Sequence, residues 1–343
     1  MEAKEATEAT VGSLNIAQLM QVPAPDHDMR WLVNALHAAI KLELATLPPY
    51  LFAFWSIKDN STYVAQGIRE VALQEMLHMA TACNLLVAIG GSPMVNTPSQ
   101  VPIYPGPLPD GVRPGLIVQL AGFSQAQTKV FMDIELPEHG PIALLVAAET
   151  YSTIGAFYTA VQTAFERLRP PLSAARQFAD YLGLKKVLTL ADVQAAIQLI
   201  KRQGEGSTSS PYEQPDELAH YYRFGEMYNR KRLIFDPGTR RWRYAGADVP
   251  MPAVWPVDPI PAGGYRRQDV PPAVWTLLAA CDTAFTTMLN QIAGAWQTGN
   301  ADLLNAAIGS MFSLADPAQQ LMQIRKPSGP GNYGPCFRFV PAA

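Results

Sequence analysis

The sequence predicts a mainly α-helical protein: a four-helix bundle with a long crossover between its second and third helices, extra C-terminal helices and a small β element. Three observations support this prediction. Apolar residues recur at helical spacing in four long runs. Prolines cluster between residues 91 and 140, where they favour an extended connection over a helix. Two further helical runs follow the fourth one, near residues 273–296 and 302–323.

The composition narrows the class of protein. The 343 residues carry a net charge of −3, which excludes the strongly basic surface typical of nucleic-acid-binding proteins. The three cysteines are far apart and form no C-x-x-C, so neither a thiolate metal site nor a disulfide framework is expected. No signal peptide is visible near residue 1, so none is expected, and no apolar run reaches the roughly 20 residues of a membrane helix. We therefore expect a cytoplasmic protein that binds neither nucleic acid nor membranes.

The first two bundle helices are predicted over residues 28–57 and 63–89, joined by a turn at 59–61. Glu43 precedes the turn by about 16 residues and Glu75 follows it by about 16, so at ~1.5 Å per residue both lie about 24 Å from it. Two carboxylates at one level inside a helix pair need a cation or a proton between them. The helix pair therefore already indicates a buried cation site.

The middle of the chain is less regular. Residues 91–140 are predicted to form an ordered crossover without a helix, with short strands at Leu116–Leu120 and Phe131–Leu136. A third bundle helix is predicted over 141–167, where Glu149 lies among apolar and small residues. Two shorter helices are expected at 172–181 and 189–203.

The fourth long helix is predicted over residues 214–233, followed by a hairpin at 234–244. The chain then divides into three parts. These are a flexible arm over residues 1–25, the helical bundle over 26–235, and a C-terminal part over 236–343 that packs on the bundle as one unit.

The spacing Glu-x-x-His occurs twice, as Glu75–His78 and as Glu217–His220. On a helix, residues three apart share a face, so both side chains can reach one metal ion. Chance predicts only about 0.2 such pairs in a chain of this composition. The order is a lone Glu, a Glu-x-x-His, a long connection, a lone Glu and a second Glu-x-x-His. This order matches the di-metal carboxylate site of ferritin-like bundles.

Six residues are therefore predicted to ligate metal: Glu43, Glu75, His78, Glu149, Glu217 and His220. Carboxylate and imidazole ligands suit two iron ions, with manganese or a mixed pair as alternatives. The competing interpretation is that these residues form surface ion pairs. Glu43 and Glu149 argue against it, because both lie on apolar faces where an unpaired charge is costly.

The chain resembles the ferritin-like domain of the iminophenyl-pyruvate dimer synthase type, found in violacein- and rebeccamycin-pathway dimer synthases, which are larger multi-domain chains. Six stretches carry the resemblance: 42–51 (LELATLPPYL), 68–79 (IREVALQEMLHM), 203–206 (QGEG), 217–224 (ELAHYYRF), 254–257 (VWPV) and 334–339 (GPCFRF). The resemblance implies metal ligation by the same six residues. It also implies an amino-acid-derived or secondary-metabolite substrate.

Three further residues are candidates for substrate contacts. Glu205, in a Gly-Glu-Gly loop, is either an additional carboxylate or lid contact, or part of a solvated turn. Arg223 either holds a substrate carboxylate or pairs with Glu226. Tyr50, two turns from Glu43, either lines a substrate cavity or packs in the core.

The function that these observations favour is a non-haem di-iron oxidoreductase that uses O2 on a small organic substrate. One alternative is the oxidative coupling of two imino-acid molecules, and another is iron storage. The long crossover and the extra C-terminal helices disfavour storage, since a storage subunit needs only the bundle. The sequence leaves open whether an electron-donor protein takes part and whether the chain forms a homo-oligomer.

Overall fold

The computed structural model describes residues 15–113, 115–137, 153–207, 209–214, 217–327 and 329–341. Within these ranges the fold is mainly helical, as predicted. The helices are α1 (Ile16–Gln21), α2 (Met29–Ser56), α3 (Tyr63–Ala88), α4 (Gln125–Ile134), α5 (Ile154–Leu168), α6 (Leu190–Glu205), α7 (His220–Asn229), α8 (Pro272–Thr298), α9 (Ala301–Ser313) and α10 (Ala315–Gln323).

The helices α2 and α3 form the centre of the fold. Each begins at a side-chain cap: the Asp28 carboxylate accepts from the Trp31 amide, and the Thr62 hydroxyl from the Ala65 amide. Both helices are buried on most of their surface, because other helices pack on both sides of the pair. By length and composition α3 could cross a membrane, yet 78% of its most apolar window is buried inside this fold. That burial is typical of a core helix.

The prediction of a crossover without a helix was wrong. Residues predicted as the strand Phe131–Leu136 belong largely to α4, whose first turn is capped by the Ser124 hydroxyl. Thr128 and Phe131 are buried at helical spacing and pack against α7. The other strand prediction is partly confirmed, since Ile117–Val118 forms β2 and pairs with β1 (Gly106–Pro107).

The second half of the bundle consists of two helix pairs. Helix α4 packs on α7 and α5 packs on α6, and both pairs lie against α2 and α3. The predicted helix over 189–203 is confirmed as α6, with Thr189 as its cap. Of the predicted helix over 141–167, the described part begins at Ile154.

The helix predicted over 172–181 is absent from the structure, where this segment is extended and turned. Its backbone is bonded to side chains from elsewhere in the fold. The Asn84 amide donates to the Phe178 carbonyl at 2.8 Å and accepts from the Phe178 amide at 3.2 Å. These bonds with α3 replace those that a local helix would form.

Part of the arm predicted as flexible is docked on the bundle. Ile16 and Leu19 are fully buried, and the Trp31 ring N–H donates to the Leu19 carbonyl at 3.0 Å. Residues 1–14 lie outside the described part of the chain.

Two further hairpins lie after α6. Strand β3 (Tyr212–Gln214) pairs with β4 (Glu217–Leu218) immediately before α7. Strand β5 (Lys231–Asp236) pairs with β6 (Arg241–Asp248), which confirms the hairpin predicted at 234–244 and extends it.

The C-terminal helices pack on the outer side of the central pair. Helix α8 contacts α3 and α10 contacts α2, while α9 lies against α8. Between α2, α3, α8 and α9 lies an apolar cavity of about 340 Å³ that is partly open to solvent. Leu44, Met76, Met288, Ala307 and Met311 are among the side chains that line it.

Candidate metal centre

Three of the predicted ligands meet between α2 and α3. Glu43, Glu75 and His78 are each less than 5% exposed. The Nδ1 atom of His78 lies 3.7 Å from Oε2 of Glu43 and 3.5 Å from Oε1 of Glu75. The two carboxylates therefore lie at one level of the helix pair, as the equal distances from the turn predict.

His220 joins this group from the first residue of α7. Its Nδ1 atom lies 2.9 Å from Oε1 of Glu75 and 3.6 Å from Oε2 of Glu135. Glu135 follows the last residue of α4, so the packing of α4 on α7 brings it to His220. His220 is fully buried, and Glu135 is 6% exposed.

These side chains form two groups of potential ligands. We call Glu43, Glu75 and His78 the first cluster, and Glu75, Glu135 and His220 the second cluster. Within each cluster the ligand atoms lie within 4.8 Å of one another, so each could hold one metal ion. Glu75 belongs to both clusters, so the arrangement is that of a di-metal site with one shared carboxylate.

The chemistry of the site fits metal ions. The Nδ1 atom of His220 is buried without a hydrogen-bond partner, although a Glu75 oxygen lies 2.9 Å away. Two ligand atoms that are close but not hydrogen-bonded are arranged as they would be around a shared ion. Three carboxylates and two imidazoles, without a thiolate, suit iron or manganese.

The protonation of the clusters follows from their burial. Burial raises the pKa of Glu43 to about 7. Burial also acts to raise the pKa of Glu75, but the two imidazoles beside it, His220 and His78, outweigh this effect, so its pKa is well below the usual range. Burial acts to lower the pKa of both imidazoles, yet the carboxylates around them raise it overall. Without a metal ion the clusters therefore retain protons, which a metal ion has to displace.

Hydroxyl groups hold the three carboxylates. Tyr158 donates to Oε1 of Glu43 at 2.5 Å, and Thr46 donates to Oε2 of Glu75 at 2.9 Å. The predicted contact residue Tyr50 donates to Oε1 of Glu135 at 2.5 Å and is fully buried. Burial, together with the neighbouring carboxylates, raises the pKa of both tyrosines well above the ordinary value, so each remains a donor.

Glu217, another of the predicted ligands, is not brought into the clusters. The prediction of a helix carrying Glu217 was wrong, because Glu217 begins strand β4 and is half-buried. Pairing of Gln214 with Glu217 keeps this segment extended, and α7 begins only at His220. Glu217 accepts a hydrogen bond from Gln74 instead. Glu149 lies outside the described residues.

The two remaining candidates have other partners. Oε1 of Glu205 accepts from the Gly155 amide at 2.8 Å, on the wall of the cavity beside the first cluster. Arg223 pairs with Glu70 and not with Glu226. Glu226 pairs with Arg232 at 3.1 Å.

Glu135 is the residue that the sequence analysis missed. It forms no Glu-x-x-His, and it lies in a segment whose alternating pattern predicts a strand. Two signals could have found it: Ser124 is a cap residue, and Pro137 follows the apolar run as a helix stop. Those two signals delimit a helix that ends beside a carboxylate.

A small cavity of about 20 Å³ opens beside both clusters. It has room for about one water-sized molecule. Its polar lining includes Glu43, Glu75, Glu135, Tyr158 and Glu205, and its apolar lining comes from residues such as Ile134 and Ile200.

A family model described as Ferritin-like matches residues 36–229, which is more than half of the chain. The chain belongs to the ferritin-like family. A crystal structure of a ferritin-like protein from Caulobacter vibrioides is similar in fold, with a TM-score of 0.62 and 20% sequence identity. The match covers 91% of this chain and 98% of that one. The comparison with curated proteins found no match.

The ferritin-like family includes di-iron enzymes, and its di-metal carboxylate sites are built in the bundle core. Both clusters lie in the core of this bundle.

Proposed function

We propose that this ferritin-like protein is an O2-dependent oxidoreductase with a carboxylate-bridged pair of iron ions. The observation that carries the proposal is the sharing of Glu75 between two buried clusters. Glu75 reaches both ligand groups and would help to hold an ion in each. His78 would supply a nitrogen to the first position and His220 to the second.

The bound iron pair would supply the electrons and open coordination positions that reaction with O2 needs. The protein supplies the surroundings. The buried clusters exclude bulk water, and a small cavity opens beside their carboxylates. Tyr158 and Tyr50 keep the outer carboxylates oriented through their hydroxyl groups.

Iron content tests the ligand assignment. Wild-type protein reconstituted anaerobically with Fe(II) and desalted is expected to retain two iron ions per chain. Glu43→Ala should weaken the first position and Glu135→Ala the second, whereas Glu75→Ala should weaken both because its carboxylate is shared. Glu70→Ala is the matched control, since it removes a glutamate of the same helix that is half exposed and pairs with Arg223.

Two outcomes would contradict the assignment. Full iron content in Glu75→Ala would show that the metal is bound elsewhere. Iron accumulation far above two ions per chain in the wild type would indicate storage.

The reaction with O2 is followed by adding air-saturated buffer to the Fe(II)-loaded protein. An optical change is expected in the wild type and Glu70→Ala but not in Glu75→Ala.

The substrate is proposed from the sequence resemblance. Stretches such as 203–206 and 217–224 resemble those of the dimer synthase type, which favours an amino-acid-derived or secondary-metabolite substrate. Oxidative coupling of two imino acids is the specific reaction to test. The iron-loaded protein is mixed with an imino acid freshly generated by an amino-acid oxidase, and the products are analysed by mass spectrometry. A coupled product that requires the intact Glu75 would support this substrate class.

A further inference from the structure

In both clusters, the imidazole nitrogen that faces away from the carboxylates contacts a glutamine side chain. The Nε2 atom of His78 lies 2.8 Å from Oε1 of Gln203, and Nε2 of His220 lies 2.8 Å from Oε1 of Gln74. In both rings the other nitrogen, Nδ1, faces the cluster carboxylates. Each histidine therefore uses one nitrogen toward the metal position and the other toward a glutamine.

Each glutamine has a glutamate of one hairpin as a further neighbour. Nε2 of Gln74 donates to Oε1 of Glu217, and the side chain of Gln203 interacts with the carboxylate of Glu213. Glu213 lies in β3 and Glu217 begins β4, the strand paired with it. The two paths start on different helices, α3 and α6, and end on the same short hairpin.

The chemistry of these groups sets the direction of each path. A carboxylate only accepts hydrogen bonds, whereas a primary amide has one donating and one accepting end. A glutamine bonded to a glutamate turns its amino group to the carboxylate, which leaves its oxygen for the imidazole. The imidazole nitrogen at that oxygen must then carry a hydrogen. The other ring nitrogen keeps its lone pair for a metal ion.

We propose that two positioning relays fix the tautomer and the ring orientation of the cluster histidines. The first relay is Gln203 with Glu213, and the second relay is Gln74 with Glu217. The proposal rests on the proposed function, because the relays matter only if the clusters hold metal. It also gives Glu217 a role three residues before His220 that involves no direct contact with the metal.

The relays act on different ions. The first relay holds the histidine of the first cluster, and the second relay holds that of the second cluster. Loss of such an outer contact typically lowers metal affinity about 10–100-fold. We therefore expect each relay to govern one metal position and to leave the other nearly unchanged.

Zinc serves as the probe, because a diamagnetic ion allows the ring nitrogens to be observed by NMR. In the zinc-loaded protein labelled with ¹⁵N in histidine, both cluster rings should carry their hydrogen on Nε2. Gln74→Leu should lower the zinc affinity of the second cluster about 10–100-fold, and Gln203→Leu that of the first, measured by competition with a chromophoric chelator. Gln66→Leu, at an exposed glutamine of α3, is the matched control and should leave both affinities unchanged.

A double variant that exchanges the amide and the carboxylate of the second relay tests whether the relay fixes the tautomer of His220. The double variant Gln74→Glu with Glu217→Gln has the carboxylate at position 74 and the amide at position 217. An oxygen at position 74 still faces His220, and the amide at position 217 can still donate to the carboxylate at position 74. The double variant should regain zinc affinity and the Nε2–H tautomer. Gln74→Glu alone should not, because it places two carboxylates side by side.

Unchanged affinity and tautomer in both leucine variants would overturn the relays. A double variant that binds zinc no better than Gln74→Leu would do so as well. Wild-type protein that binds no zinc and no iron would instead overturn the proposed function, so the two failures are distinguishable. If Gln74→Leu does not fold, Glu217→Gln on the half-buried hairpin serves the same purpose. Its expected result is a mixture of tautomers at His220, and a single unchanged tautomer would refute the relay.

Discussion

Hydroxyl donors at single residues decide how the cluster carboxylates are held. Tyr158 serves the first cluster through Glu43, and Tyr50 serves the second through Glu135. A buried carboxylate oxygen that loses its donor pays the cost of its lost solvation. The two tyrosines are therefore matched probes of the two metal positions.

Tyr158→Phe is expected to lower the zinc affinity of the first cluster about 10–100-fold and to spare the second, because only the oxygen of Glu43 loses a donor. Tyr50→Phe should give the opposite pattern. Competition with a chelator measures both affinities. Thermal unfolding of the metal-free variants should show a loss of about 1–3 kcal/mol in the free energy of unfolding. Equal losses at both clusters from either variant would contradict this assignment.

The raised pKa of Glu43 predicts that metal binding depends on pH. The pKa of Glu43 is about 7 in the folded chain, against an ordinary value of 4.5. Between these values the folded chain holds a proton that the unfolded chain has lost. This contribution to the stability of the metal-free protein is present at low pH, and it is lost as the pH rises through 7.

A metal ion has to displace the proton of Glu43 as well as those held by the cluster imidazoles, so zinc affinity should fall by at least about tenfold per pH unit below 7. Calorimetry in buffers of different ionisation enthalpy would count the protons released. Glu43→Gln has no proton to lose at this position and should show weaker binding with a shallower pH dependence. A zinc affinity that is the same on both sides of pH 7 would contradict the prediction.

Helix α9 is separated from the central helices α2 and α3. Between them lies the partly open apolar cavity of about 340 Å³, which has room for a larger side chain. Ala307 lies on the side of α9 that lines this cavity, and Ala306 next to it is exposed. The helix therefore offers one buried and one exposed site for the same substitution.

Ala307→Leu is expected to raise the free energy of unfolding by about 1–2 kcal/mol, because the added methylenes are buried in existing space. Ala306→Leu, on the solvent side of the same helix, should change it by no more than about 0.5 kcal/mol. Urea denaturation of both variants measures the difference. Destabilisation by Ala307→Leu would show that the cavity collapses or is filled in solution.

The elements also show where sequence patterns suffice. The spans of α2, α3 and α6 follow from their apolar spacing and from the caps Asp28, Thr62 and Thr189. Helix α4 was missed because its last residues alternate between apolar and polar, a pattern that also suits a strand. The segment 172–181 was assigned a helix that its hydrogen bonds with Asn84 exclude.

In the whole molecule, the clusters join four segments that are distant in sequence. Their ligands come from α2, α3, the end of α4 and the start of α7. Metal binding is therefore coupled to the packing of the entire bundle. An ion bound only by the folded chain stabilises it by an amount that grows with the logarithm of its concentration.

Zinc at 100 times its dissociation constant is expected to raise the free energy of unfolding by about 2.7 kcal/mol for each occupied position. The melting temperature should rise accordingly and return to its starting value when a chelator is added. Glu75→Ala should lose most of this increase, since its carboxylate serves both positions. An equal increase in Glu75→Ala and the wild type would mean that zinc stabilises the fold at another place.

The sequence by itself determined the helical class, the central helix pair and the meeting of Glu43, Glu75 and His78, because helical spacing and a short turn are local properties. Only the tertiary structure decided which carboxylate completes the second cluster. The sequence Glu217-x-x-His220 suits a helix, but pairing of β3 with β4 keeps Glu217 extended, and the packing of α4 on α7 brings Glu135 to His220 instead. Contacts between residues so distant in the chain arise from packing and leave no periodic signal in the sequence.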